Sequence, residues 1–300
     1  MQFTILTPTY NAAHTLPRVY HSLQNQTEKD FEWLIVDDGS TDETATLVRA
    51  WQEAAIIPIR YISQENQGKY WALNTGIQAA EGEFLVPLDA DDACVPTALA
   101  EFTARWEEIP VAQRPTFSGV CVLCEDQYGK LCGDPFPQDG LRATSSELAY
   151  RYQVAGEKWG FHRTDILKQF LFPDLRPCKF IPESYLWQRI AQQYQLYCCN
   201  TILRIYYVDE QPNNLSRQLH RPTHAAGRQL YYHWVLNHEL HWFWSAPILF
   251  LKAAVHYGRL SRCLGIPMRH QWAALTTSLA KTLWAIGFVL NLGVVLKGKR

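Results

Sequence analysis

Residues 83–92 read Glu83-Phe84-Leu85-Val86-Pro87-Leu88-Asp89-Ala90-Asp91-Asp92. The apolar run reads as a buried strand, and three carboxylates stand at its end. Carboxylates crowded there repel one another and lose hydration, which is costly unless a cation or a polar partner offsets it. Oxygen donors with no Cys or His beside them suit a hard divalent ion, Mg²⁺ or Mn²⁺, and such ions commonly also hold substrate phosphates. The plainer reading is a turn or a helix N-cap, since Asp suits both. The residues upstream decide how much weight each reading carries.

Strand and helix patterns alternate through the first 110 residues. Phe3-Thr4-Ile5-Leu6 reads as a strand ending at Thr7-Pro8-Thr9-Tyr10-Asn11. A helix is predicted over about 14–25, where Leu16, Val19, Tyr20 and Leu23 share a face. Phe31 to Val36 is the second strand, and it stops at Asp37-Asp38-Gly39-Ser40-Thr41-Asp42, rich in turn and N-cap residues. A helix over about 42–53, a strand at Ile56 to Ile62 and a helix over about 67–80 lead into the strand at 84–88. This βαβαβαβ order predicts an α/β fold with a parallel sheet covered by helices on both faces. Ligands bind such sheets outside the carboxyl ends of the strands. The polar clusters at 7–11, 37–42 and 89–92 all fall at strand ends of that kind. No GxxxxGK[ST] loop is present and no GxGxxG follows the first strand, which disfavours P-loop and dinucleotide-binding enzymes.

The run from 111 to 210 is less regular. Thr116 to Leu123 reads as a strand, Glu157 to Arg163 as a short strand entering a helix, and Leu203 to Val208 as a last strand. Ile181-Pro182-Glu183-Ser184 reads as a helix start, with Pro182 near the first turn.

Four of these stretches, in this order, resemble glycosyltransferase family 2: Thr7-Pro8-Thr9-Tyr10-Asn11, Val36-Asp37-Asp38-Gly39-Ser40-Thr41-Asp42, Asn66-Gln67-Gly68-Lys69 through Asn74-Thr75-Gly76, and Gly82-Glu83 with the DXD motif Asp89-Ala90-Asp91. The resemblance covers residues 1–110 closely and 111–210 loosely. It implies a GT-A-type, Rossmann-like, mostly parallel sheet, an inverting transfer and a nucleotide-sugar donor, usually a UDP-sugar. By position, it implies that Pro8, Thr9 and Tyr10 line the base pocket and that Asp38 accepts a hydrogen bond from the base. Lys69 and Asn74 would flank base and ribose, Asp89 would approach the ribose, and Asp91 would hold Mn²⁺ or Mg²⁺ with Asp89 and Asp92 as neighbouring acids. An inverting displacement needs one base for the acceptor hydroxyl. The candidate is Glu183, where the family often has an acidic pair before a helix carrying an Arg, here Arg189. The rival reading is a carboxylate that favours a helix N-terminus. His162 and His220 are weaker candidates for the metal shell, Lys158 and Arg217 for phosphate or acceptor, and Trp159 for an acceptor sugar; packing or solvation explains each as well.

Composition bounds the remainder. The 300 residues are 47% hydrophobic and 19% charged, an ordinary globular balance. Eight Cys lack zinc-site spacing, although Cys121 and Cys124 form a CxxC, so buried free thiols and a reducing compartment are expected. The start of the chain has no signal-peptide pattern. The net charge of -1 conceals a split, because residues 211–300 hold 11 Lys or Arg and a single acid, Glu239. Residues 1–210 therefore read as a GT-A catalytic domain, 1–110 binding nucleotide and 111–210 facing the acceptor, and 211–300 as a basic, Trp-rich helical extension. The apolar run from Leu283 to Leu296 falls short of the roughly 20 residues that span a bilayer. Basic residues and Trp at intervals suit an interfacial membrane helix over 218–300; packing on the domain or in an oligomer is the rival, and no nucleic-acid module is visible. The expected enzyme is a metal-dependent glycosyltransferase, cytoplasmic and peripheral at the inner membrane face, acting on a glycan or lipid-linked acceptor in cell-surface polysaccharide synthesis. A nucleotide-sugar-binding scaffold and a nucleotidyltransferase are the competing classes.

Overall fold

β1 (Phe3–Thr9) is buried along its whole length, as a central strand must be when helices cover both faces. It is followed by α1 (Leu16–Gln24), β2 (Phe31–Asp37), α2 (Thr44–Ala54), β3 (Ile59–Ser63), α3 (Lys69–Ala79) and β4 (Phe84–Pro87). The protein is represented by a computed structural model that describes residues 1–208 and 222–297. β3, β2, β1 and β4 lie side by side and all parallel, as the βαβαβαβ pattern predicts. β3 starts at Ile59, because Ile56 and Ile57 still belong to the bend after α2.

The second half adds β5 (Ala93–Cys94), α4 (Ala98–Glu107), β6 (Phe117–Asp126), β7 (Leu141–Ala143), β8 (Lys158–Arg163), α5 (Thr164–Leu167), α6 (Ser184–Ile190) and β9 (Gln195–Tyr206). The strands of the described residues form one sheet in the order β3-β2-β1-β4-β8-β6-β9-β5, with β7 also on β9. β8 runs antiparallel between β4 and β6, while β6 and β9 are parallel. The sheet is thus parallel through its first half and mixed beyond it. β4 ends near the middle of this sheet, so the acidic tetrapeptide connects the two halves.

The pleat divides the core in two. Phe3, Ile5, Trp33 and Ile35 pack with Leu16, Val19 and Leu23 of α1 and with Leu99 and Phe102 of α4. Leu6, Leu34, Val36 and Leu85 face the other way, onto Tyr70, Leu73 and Ile77 of α3 and Leu186 and Ile190 of α6. Gly76 permits the close approach of α3, since a Cβ there would lie 2.1 Å from a Leu6 methyl carbon. All eight thiols are free, and Cys121 and Cys124 are among the buried ones.

The extension consists of α7 (Ala225–His238), α8 (Pro247–Cys263), α9 (Met268–Ala273) and α10 (Ser278–Lys297). Leu230, Tyr231 and Trp234 of α7 pack against the core beneath α3 and α6. A Cβ on Gly227 would sit 1.8 Å from the Phe180 carbonyl oxygen, so α7 lies directly on the backbone that leads to α6. Val235 and Leu236 continue into a separate cluster with Phe250 and Tyr257 of α8, Leu283 and Trp284 of α10, and Tyr150. The extension is therefore packed on the α/β domain, one of the two arrangements expected from its sequence. Counted over the described residues, no helix is long and apolar enough to cross a membrane. The expected boundary at 210/211, together with Arg217 and His220, lies outside the described residues.

Glu239, the one acid of the extension, is 0% exposed and accepts a hydrogen bond from Gln192 Nε2 at 2.9 Å. Burial raises its carboxyl from 4.5 to about 7, and the hydrogen bonds it receives offset only part of that. A folded-state value above the unfolded one means that the native protein holds this proton more tightly. Stability from this group is complete below 4.5 and declines as pH rises from there toward 7. Glu239→Gln is expected to gain about 1–3 kcal/mol at pH ~8 and almost nothing at pH ~4. Urea melts at the two pH values measure this, and equal gains at both would remove the assignment.

Candidate active site

The first two strand ends are stitched into one platform. Asn11 takes a left-handed φ of 50°, which Asn tolerates, and its Oδ1 accepts the Thr41 N–H at 2.7 Å. In return the N–H groups of Asn11, Ala12 and Ala13 donate to Ser40 Oγ, Thr44 Oγ1 and Asp42 Oδ2. Pro8 and Thr9 are buried at the end of β1, while the Tyr10 ring stands exposed beyond them.

Asp38 is buried and organises the next loop. Its carboxylate accepts Gln64 Nε2 at 2.7 Å, the Gln67 N–H at 2.9 Å and the Gly68 N–H at 2.7 Å. Gly68 has φ +98°, and a Cβ there would lie 2.0 Å from the Lys179 carbonyl oxygen, so only glycine fits between the loop and the segment before α6. Lys69 is the first residue of α3. Its Nζ lies 2.6 Å from Asp89 Oδ1 and 2.8 Å from Glu183 Oε1. Burial by itself would lower the Lys69 pKa, but the two carboxylates outweigh it and raise it above the ordinary lysine range. Lys69 is thus a fixed cation joining the end of β4 to the start of α6.

The three acids occupy different environments. Asp92 is 1% exposed; Arg204 of β9 pairs with it, Nε at 2.8 Å, and the Tyr207 N–H donates to its other oxygen at 2.9 Å. Asp89 is held between Lys69 and Arg204, the latter at 3.1 Å. Burial would raise the Asp89 carboxyl, but the two cations prevail and bring it down to about 2. Asp91 has no ion pair among the described residues, and burial together with the Asp89 charge raises its carboxyl. One ligand atom from each acid lies within 4.8 Å of the others. An all-oxygen set with one unpaired carboxylate fits a hard divalent ion, which Asp91 and an oxygen of Asp89 would hold. Asp92, expected as a neighbouring metal acid, lies in the same three-acid group, and its carboxylate also meets Arg204 and the Tyr207 N–H.

Other candidates fall elsewhere. Both ends of the Asn74 amide are engaged, donating to the Phe172 carbonyl at 2.8 Å and accepting the Phe172 N–H at 2.9 Å, so this side chain braces the segment before α6. His162 pairs across from Leu85, four residues before Asp89, where it stacks on Trp187 and meets Ser118 Oγ at 3.1 Å. Burial takes its pKa down to about 4, the behaviour of a core imidazole. Trp159 is a core residue whose Nε1 donates to the Pro87 carbonyl at 2.6 Å, and Lys158 Nζ donates to backbone carbonyls of Ala155 and Glu157. Arg189 does not reach Glu183; it donates to the Leu171 carbonyl at 2.8 Å.

Residues 4–130 match the family model described as glycosyl transferase family 2. This segment is a family 2 glycosyltransferase domain. A curated relative, an uncharacterized glycosyltransferase of Nostoc sp., is 42% identical over 99 residues, 33% of this chain. The match spans about a third of that relative's length, 31%. Among solved structures, Staphylococcus aureus TarS 1–349 in complex with UDP-GlcNAc superposes with TM-score 0.60 at 18% identity, covering 96% of this chain and 89% of that one. The mannosyltransferase PcManGT of Pyrobaculum calidifontis, in complex with GDP-Man and Mn²⁺, gives 0.57 at 20% identity, covering 97% and 80%. These likenesses establish that the family 2 domain and the strands after it share the GT-A fold.

Two residues of the site escaped the sequence reading. Arg204 carried a signal, since an Arg between Leu203 and Ile205 in an apolar strand is buried and therefore paired. Arg18 carried none, because it stands on an amphipathic helix like any surface cation. Its Nη1 donates to the Asp91 carbonyl at 2.6 Å, and its guanidinium lies 3.9 Å from the Tyr207 ring centroid. Replacing Arg204 leaves Asp92 buried without its cation and Asp89 with Lys69 alone. Arg204→Met is expected to cost about 3–5 kcal/mol in a denaturant melt. A loss below about 1 kcal/mol would mean that Arg204 does not hold the cluster together.

Proposed function

We propose that this chain is a divalent-metal-dependent, inverting glycosyltransferase of the hexosyl type. It moves a sugar from a nucleotide-sugar, a UDP-sugar, to a hydroxyl of a glycan or lipid-linked acceptor. The observation that carries this reading is the Lys69 bridge, which sets Glu183 beside the acidic cluster at the end of β4. The family 2 domain and the sugar nucleotides in the TarS and PcManGT complexes support the substrate class.

Pro8, Thr9 and Tyr10 line the base side, and Asp38, already facing donors from the loop at 64–68, accepts the imide N–H of the base. Lys69 and Asp89 lie toward the ribose and diphosphate, with Asn74 bracing the wall behind them. A Mg²⁺ or Mn²⁺ ion held by Asp91 and Asp89 would supply Lewis-acid stabilisation of the leaving diphosphate. Glu183 removes the proton of the acceptor hydroxyl as its oxygen forms the new bond to the anomeric carbon. The bond from that carbon to the diphosphate breaks on the opposite face, so the configuration inverts and the nucleoside diphosphate leaves. Lys69 fixes the direction of the Glu183 carboxylate during this step. The enzyme acts at the inner face of a cell membrane, reached through residues 218–300, in cell-surface polysaccharide synthesis.

Release of nucleoside diphosphate from a panel of UDP- and GDP-sugars tests the reading. Glu183→Gln is expected to lower turnover by about 10²–10⁴-fold while retaining thermal stabilisation by the donor with metal. Asp91→Asn is expected to abolish both turnover and the metal requirement for stabilisation. Full turnover by Glu183→Gln would dismiss Glu183 as the base, and stabilisation by GDP-sugars alone would overturn the UDP assignment.

A further inference from the structure

We infer that the outward face of α8, with Trp244 just ahead of it, docks on an anionic lipid bilayer. This deepens the peripheral location proposed above and does not depend on the chemistry of the active site. One side of α8 is buried through Phe250, Ala253, Ala254, Tyr257 and Leu260. On the opposite side Ile248, Lys252 and Arg259 are exposed, spaced by four and seven positions and therefore aligned in one stripe. Ile248 is 68% exposed, Leu249 flanks it, and Trp244 is 87% exposed. The stripe has an apolar end and a cationic continuation.

The next helix of the extension also exposes cations and apolar side chains. Arg269, Met268 and Trp272 of α9 are exposed, and Lys281 Nζ lies 5.7 Å from the Trp272 ring centroid. Glu239, the one acid of 211–300, is wholly buried, so no carboxylate of the extension reaches its described surface. Trp and aliphatic side chains favour the headgroup boundary, and cations beside them are attracted to anionic headgroups. A symmetric contact with a second copy would bring the two cationic stripes together with no acid of the described extension to pair them. A nucleic acid would match the cations but leave Trp244, Ile248 and Leu249 in water. An anionic bilayer satisfies both parts of the face.

The test is flotation of the full chain with vesicles of phosphatidylcholine alone or with about one-third phosphatidylglycerol. The expected result is binding to the anionic vesicles that weakens with added salt. Trp244→Ser with Ile248→Ser is expected to weaken binding at least about tenfold. Lys252→Glu with Arg259→Glu is expected to remove the preference for phosphatidylglycerol. These side chains are exposed, so both variants should keep the wild-type circular dichroism and the same thermal stabilisation by a sugar nucleotide with metal. That second measurement separates failure of this inference from failure of the glycosyltransferase reading. Equal wild-type recovery from both vesicle types, or undiminished binding by both variants, overturns the inference. So does a concentration-dependent dimer that the variants abolish while wild type ignores lipid.

Discussion

The Lys69 ammonium between Asp89 and Glu183 is the contact on which the site depends. Asp89 follows the last strand of the parallel half, and Glu183 begins α6, which lies between β8 and β9 of the mixed half. Two carboxylates from distant parts of the chain share one cation that stands between them. Lys69 can occupy that place because it is the first residue of α3, where the chain leaves a loop pinned by Asp38. The loop in turn lies against the backbone of Lys179, at a distance that only Gly68 allows. Base-side platform, cation and candidate base thus form one mechanical chain.

Arg204 plays the matching role on the other side. It neutralises Asp92 and shares Asp89 with Lys69, leaving Asp91 as the acid without a paired cation among the described residues. The same tetrapeptide therefore supplies a structural ion pair, a shared carboxylate and an unpaired one. Arg18, donating to the Asp91 carbonyl and lying over Tyr207, fixes the backbone at the unpaired acid. The extension is part of the same construction, since α7 rests on the segment that carries Glu183.

Much of the scaffold was legible in the sequence because its signals are local. Strand runs such as Phe31 to Val36 and the face formed by Leu16, Val19, Tyr20 and Leu23 repeat with the period of the element they form. The site was less legible. Asn74 and His162 are residue types that serve ligands or scaffolds equally well, and only their partners, Phe172 for one and Trp187 with Ser118 for the other, separate the two uses. Arg189 follows Glu183 on the same helix, but it turns to the Leu171 carbonyl.

The amino-acid sequence by itself determined the parallel α/β half, the polar strand ends and the placing of an acidic cluster at the close of β4, because hydrophobic periodicity and turn chemistry act over a few residues. Tertiary structure decided which acid is paired, which is shared and which stands alone. Those roles follow from the charge that each carboxylate meets, and the charges come from far along the chain: Arg204 lies 115 residues beyond Asp89. Ion pairing depends on distance and on burial together, and neither quantity can be read until the sheet has brought β4 and β9 into register.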